Sequence, residues 1–195
     1  MGVANEANQI LAKPVIYLYP AKATEVTVTL ELEGPLTCSV PEYVNGWTVT
    51  AFPDGTLIGS DGQTYPYLFW EADSDIRFDL SEGFCIEGEE TPGFLREKLT
   101  FLGLNEQETS GFIDYWVPLM KDNAYNLISF QTYAYTDNVK LTVRPEPDSV
   151  LRVFMAYSPL GKPVKIKAQE LQPFQRTGFT VVEWGGAKSA YAVYH

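Results

Sequence analysis

The stretch EVTVTLELE, residues 25–33, decides the fold class. Val26, Val28, Leu30 and Leu32 alternate with Glu25, Thr27, Thr29 and Glu31. Period two is the signature of a strand with one face on a core and the other in water. The same texture surrounds it. KPVIYLYP (13–20) reads as a strand before it, and GWTVTAFPDGTLIG (46–59) reads as a hairpin turning at Pro53-Asp54-Gly55. A second glycine turn, SDGQ (60–63), leads into the aromatic strand YPYLFWEA (65–72). Further short strands are expected at 76–80 and 84–87.

The period changes at residue 91. Thr91 and Pro92 mark a helix start, Leu95, Leu99 and Leu102 share one helical face, and Gly103 suits the exit. Asn105 then caps a second helix with Glu108 at the capping-box position, and Phe112, Ile113, Trp116, Leu119 and Met120 form its apolar stripe. Pro118 is expected to end or kink that helix. Strand texture returns from residue 125 in YNLISFQTYAY, VKLTVRP, SVLRVFMAYSP, VKIKAQEL and GFTVVEWGG. The expected fold is mainly β, an antiparallel two-layer sandwich carrying one inserted helical hairpin at about 92–120. The expected organisation is a flexible leader over 1–12 and a single β-rich domain over 13–195.

Composition narrows the function classes. The 195 residues are 45% apolar and 14% aromatic, enough for one sizeable core. Asp and Glu number 25 against 14 Lys and Arg, a net charge of −11, which repels phosphate backbones and argues against a nucleic-acid partner. No apolar run reaches the roughly 18 residues that cross a bilayer, so no membrane-spanning segment is expected. The start MGVANEANQILAKP lacks the regions of a signal peptide. Cys38 and Cys85 could form one disulfide or stand as two small buried thiols.

Four motifs, KPVIYLYP, PYLFWE, YWVPLM and GFTVVEWGG, together resemble a group of uncharacterised hypothetical proteins from bacteria and microbial eukaryotes. The resemblance runs from about Lys13 to Gly186. It implies a coherent unit and an extracellular or cell-surface setting, with a cytoplasmic one left open. It brings no activity, substrate or catalytic residue.

Chemistry concentrates where strands carry a charge among apolar neighbours. Tyr67, Phe69 and Glu71 share one face of their strand, Val150, Arg152 and Phe154 one face of theirs, and Phe179, Val181 and Glu183 one face of a third. A buried charge must find a partner or, if a carboxylate, shift its pKa. Arg152 is thus expected to bond Glu183, Glu71 or both as a structural fork. Alternatively Glu71 and Glu183 line an aromatic cleft with Trp70, Tyr67, Trp184 and Trp116, where paired carboxylates suit glycoside hydrolysis.

Other chemistries are weaker. His195, the lone histidine, is terminal, and no glycine-rich phosphate loop is present. No cofactor is expected. The acidic stretch EADSDIRFDLSEGF offers Asp73, Asp75 and Asp79 as an irregular calcium site or a solvated loop, but fails the EF-hand pattern at Arg77. Lys13 raises an internal lysine-to-carboxamide crosslink, for which the final strands supply no Asn. Three functions follow: a non-catalytic binding module of an extracellular or surface protein, for carbohydrate or protein; a glycoside hydrolase-like enzyme using Glu71 and Glu183; or a structural assembly domain without a small-molecule site.

Overall fold

Among the described residues twelve strands fall into two sheets, and the smaller one contains the stretch that decides the fold class. The computed structural model describes residues 9–189. In chain order the strands are β1 (Gln9–Tyr19), β2 (Thr24–Leu32), β3 (Leu36–Val40), β4 (Trp47–Ala51), β5 (Leu57–Gly59), β6 (Thr64–Tyr65), β7 (Leu68–Ser74) and β8 (Phe84–Glu87). After helices α1 (Thr91–Leu102) and α2 (Glu106–Met120) come β9 (Tyr125–Gln131), the one-turn helix α3 (Tyr133–Thr136), β10 (Val139–Arg144), β11 (Ser149–Leu160) and β12 (Thr180–Lys188).

Strands β10-β2-β4-β5-β6 form an antiparallel five-stranded sheet, and β3-β7-β1-β12-β11-β9-β8 form a seven-stranded one. The fold is therefore mostly β, with two sheets packed together and a small helical region between strands. Val26, Val28, Trp47 and Val49 of the smaller sheet meet Ile16, Leu18, Trp70 and Phe154 of the larger in one core. The helical hairpin covers the opposite face of the larger sheet. There Leu95, Leu99, Phe112 and Trp116 pack on Val15, Val153, Met155 and Trp184. This third layer explains a difference in texture. β2 has one wet face and alternates, whereas β12 is buried from Thr180 to Ala187.

Both helices begin and end as their residues dictate. Pro occupies the first turn of α1, and Gly103 ends it at φ 105°, a left-handed cap that favours glycine. Asn105 and Glu108 make a reciprocal capping box at the start of α2, which carries Pro118 inside its last turn. Gly55 and Gly62 take positive φ in the two expected turns, where Asp54 Oδ1 and Asp61 Oδ1 accept from Thr56 N and Gln63 N.

Several expectations are corrected. β1 begins at Gln9, so residues 9–12 of the expected leader belong to the sheet, while 1–8 lie outside the described residues. Residues 76–80 form no strand, although Phe78 and Leu80 are anchored in the inter-sheet core. The edge strand β3 had no sequence signal. QTYAY breaks from strand into α3.

β11 and β12 pair in parallel, which requires a long return connection. Residues 161–179, including VKIKAQEL, make that return as an irregular strap rather than a strand. The strap is held by Gly83 N to Lys167 O at 2.9 Å and by the Gln169 amide, which accepts from Phe130 N at 2.9 Å and donates to Phe130 O at 2.6 Å. Gln169 thereby satisfies a stretch of β9 beyond the reach of β8, which pairs only with Tyr125–Ile128. No helix among the described residues is long and apolar enough to cross a membrane.

Candidate functional site

Arg152 and Glu183 are cross-strand partners on β11 and β12. Arg152 Nε donates to Glu183 Oε2 at 2.6 Å and Nη1 to the Val139 carbonyl at 2.7 Å, with the Arg152 and Glu183 side chains 11% and 1% exposed. Tyr135 of α3 stacks on Phe154 at 4.1 Å and lies under the guanidinium at 4.8 Å. Burial opposes the Arg152 charge, but Glu183 and Tyr135 outweigh it and raise the arginine pKa. Burial, reinforced by the Glu183 charge, holds the Tyr135 phenol well above its ordinary value. Tyr135 Oη, Arg152 Nη2 and Glu183 Oε1 are buried with no hydrogen-bond partner among the described residues.

Glu71 does not join this cluster. Glu183 faces the inter-sheet core beside Val181 and Ile16, whereas Glu71 shares the other face of the sheet with Phe69. Glu71 Oε1 accepts from Lys13 N at 3.3 Å. The two carboxylates therefore cannot flank one glycosidic bond, which corrects the expected Glu71–Glu183 cleft. The three tryptophans are also removed from it. Trp70 is fully buried between the sheets, and Trp116 and Trp184 are sealed beneath the helices, so none presents a ring face to solvent. Tyr67 remains half-buried beside Lys13 and Glu71's face.

A second buried carboxylate was legible only as a helix cap. Glu108 is 0% exposed and accepts from Tyr19 Oη at 2.7 Å, Asn105 N at 2.9 Å and Arg176 Nη1 at 3.0 Å, with a second Arg176 contact from Nη2. Arg176 also donates to Gly103 O at 2.8 Å. The strap is thus tied to the helical hairpin. Burial first, then the Glu108 hydrogen bond, pushes the Tyr19 phenol far up, and burial does the same to Tyr17. The capping spacing marked Glu108; nothing in the sequence of the strap marked Arg176 as its partner.

An open cleft lies elsewhere, where β9 outruns β8. This cleft of about 320 Å³ is lined by Ser129 and Gln131 of β9, Asp79 and Glu82 of the segment before β8, Tyr133 of α3 and Gln169 of the strap. Gln131 Nε2 donates to Asp79 O at 2.9 Å and Ser129 Oγ at 3.0 Å, which holds that side chain in place. Asp79 Oδ1 accepts from Ser81 N at 2.8 Å, and Glu82 pairs with Lys167. Tyr133 stands at the rim, 78% exposed, carried there by α3 while Tyr135 points inward. Hydroxyls, amides and carboxylates around one exposed ring can hydrogen-bond a polyol while the ring takes its apolar face.

Among the described residues no three His, Cys, Asp or Glu side chains converge as a metal site. Asp73, Asp75 and Asp79 are thus not brought together, since Asp73 is tied into β7 and Asp79 caps a turn. Cys38 and Cys85 are free thiols on β3 and β8, the two opposite edges of the seven-stranded sheet, too far apart for a bridge.

No family model matches the chain, and no solved structure matches it. The chain is similar to "Uncharacterized protein in bglA 3'region" of Butyrivibrio fibrisolvens, at 52% identity over 64 residues. That alignment spans 31% of this chain and 66% of the relative, just under two thirds of its length. It supports a family of uncharacterised proteins and carries no activity.

Proposed function

We propose that the chain is a non-catalytic carbohydrate-binding module whose ligand occupies the cleft under Tyr133. The carrying observation is the exposed Tyr133 ring among the residues lining a polar cleft of about 320 Å³. A ring needs no large entropy loss to stack on a sugar face, and the lining side chain of Gln131 is already held by its hydrogen bonds. The setting proposed with this ligand is extracellular or at the cell surface. The non-catalytic reading has its own support. Among the described residues the fully buried carboxylates, Glu108 and Glu183, are each paired with an arginine, which suits a structural role.

A glycan array, affinity electrophoresis in soluble β-glucan, xylan and mannan, and a hydrolysis screen on the same polymers test this reading. Retention should occur without new reducing ends, and Tyr133→Ala should weaken it at least ten-fold, about 1.4 kcal/mol, at an unchanged unfolding midpoint. Turnover would establish an enzyme instead. Silence in every assay would leave the assembly domain.

A further inference from the structure

Lys13 occupies a place built for it. β1 is interrupted by a bulge at Lys13-Pro14, where its register slips against both β12 and β7. Lys13 takes φ 56°, a left-handed conformation uncommon for a residue with a Cβ. Bulges of this kind re-aim a side chain and occur often beside functional sites. Gly185 makes the bulge possible, because a Cβ there would lie 2.9 Å from Pro14 Cα. Glu71 accepts the displaced Lys13 N–H.

The side chain is aimed into a ring of aromatics. Lys13 Nζ lies 4.7 Å from the Phe69 centroid, 5.5 Å from Tyr67 and 5.7 Å from Tyr115. The rings are positioned from behind: Tyr67 meets Tyr17 edge-on at 5.4 Å, and Tyr115 meets Trp116 edge-on at 5.0 Å. Tyr17 and Trp116 are buried, so two walls of the cage are preorganised. All three cage rings are half-buried, with their remaining surface open to solvent.

We propose that Tyr67, Phe69 and Tyr115 form a site for a quaternary ammonium group, with the Lys13 ammonium as its resident placeholder. Three π faces around one point favour a cation over a flat neutral ligand. A trimethylammonium group has no N–H to leave unsatisfied, so it sheds water at lower cost than a primary ammonium. The net charge of −11 raises the local concentration of any cation. A ligand must displace Lys13, which lowers its apparent affinity by the fraction of time the cage is occupied.

The test is a titration with tetramethylammonium chloride at constant ionic strength, followed by NMR, on the wild type and on Lys13→Gly. Glycine adopts φ 56° without strain and empties the cage. Saturable binding is expected in both, at least ten-fold tighter in Lys13→Gly. Adding Tyr115→Leu to Lys13→Gly should abolish it, and Tyr133→Ala, in the separate cleft, should leave it unchanged. Choline and free N-trimethyl-lysine distinguish a small-molecule source from a modified side chain. The proposal is overturned by absence of binding in a Lys13→Gly protein that unfolds at the wild-type midpoint, by equal affinity in the two proteins, or by equal binding of the neutral isostere 3,3-dimethylbutanol.

Discussion

Arg152 and Glu183 stand opposite each other on parallel strands, joined at 2.6 Å inside the core that separates the two sheets. Their partners extend the contact to Val139 at the start of β10 and to Tyr135 of α3. One ion pair therefore links the larger sheet, the one-turn helix and the edge of the smaller sheet.

Removing one partner should be far worse than removing both. Glu183→Leu or Arg152→Met alone leaves a buried charge uncompensated and should cost about 3–5 kcal/mol. The double variant should recover most of that loss, as measured by urea unfolding. Additive losses would show that each residue acts through packing alone.

Alkaline pH should act through three phenols, Tyr17 and Tyr135 buried and Tyr19 half-buried. Tyr17, Tyr19 and Tyr135 have pKa values raised above the ordinary 10.0, so the folded chain holds these protons more tightly than the unfolded one. Their contribution is fully present below about pH 10 and is lost as the pH rises through the folded values. The urea midpoint, followed upward from neutral pH, should therefore show no tyrosine-linked loss until about pH 10 and then fall. Phenolate absorbance should show these tyrosines ionising only as the chain unfolds.

Gly186→Ala should destabilise the centre of the larger sheet. An added Cβ would lie 2.6 Å from both the Met155 carbonyl oxygen and Trp116 Cζ2. Overpacking of this kind costs about 1–3 kcal/mol. Trp116→Phe should not rescue it, because the carbonyl belongs to the neighbouring strand and cannot move aside.

Reduction should change nothing. With Cys38 and Cys85 on opposite sheet edges, a thiol reagent should titrate two thiols in the denatured chain before any reductant is added. Exposed Cys38 should react in the native state as well. A rise in titrated thiols or a lower thermal midpoint after reductant would contradict this placement.

Legibility followed solvent exposure. β2 could be read because water on one face forces alternation, and α1 and α2 because Pro92, Gly103, Asn105 and Glu108 punctuate them. Residues 76–80 and 164–171 carry strand-like apolar residues, but these serve as anchors: Phe78 and Leu80 lie in the core and Val164 and Ile166 against it, with no continuous backbone ladder beside them. The Arg152–Glu183 pair was legible because each charge interrupts an apolar face. Glu71 misled for a definite reason. Alternation says which residues share a face within one strand, but not which face of the sheet that is.

The sequence alone determined the mainly β character, the helical hairpin and its caps, and the need of Glu183 for a cationic partner. These follow from local periodicity, local hydrogen bonding and the cost of a lone buried charge. Tertiary structure decided the parallel register that sets Arg152 against Glu183, the strap that brings Arg176 to Glu108, and the sheet face on which Glu71 meets Lys13. Each of these joins residues distant in sequence through strand order and bulge position. Such pairings depend on which surfaces bury together, and no short stretch of chain encodes that.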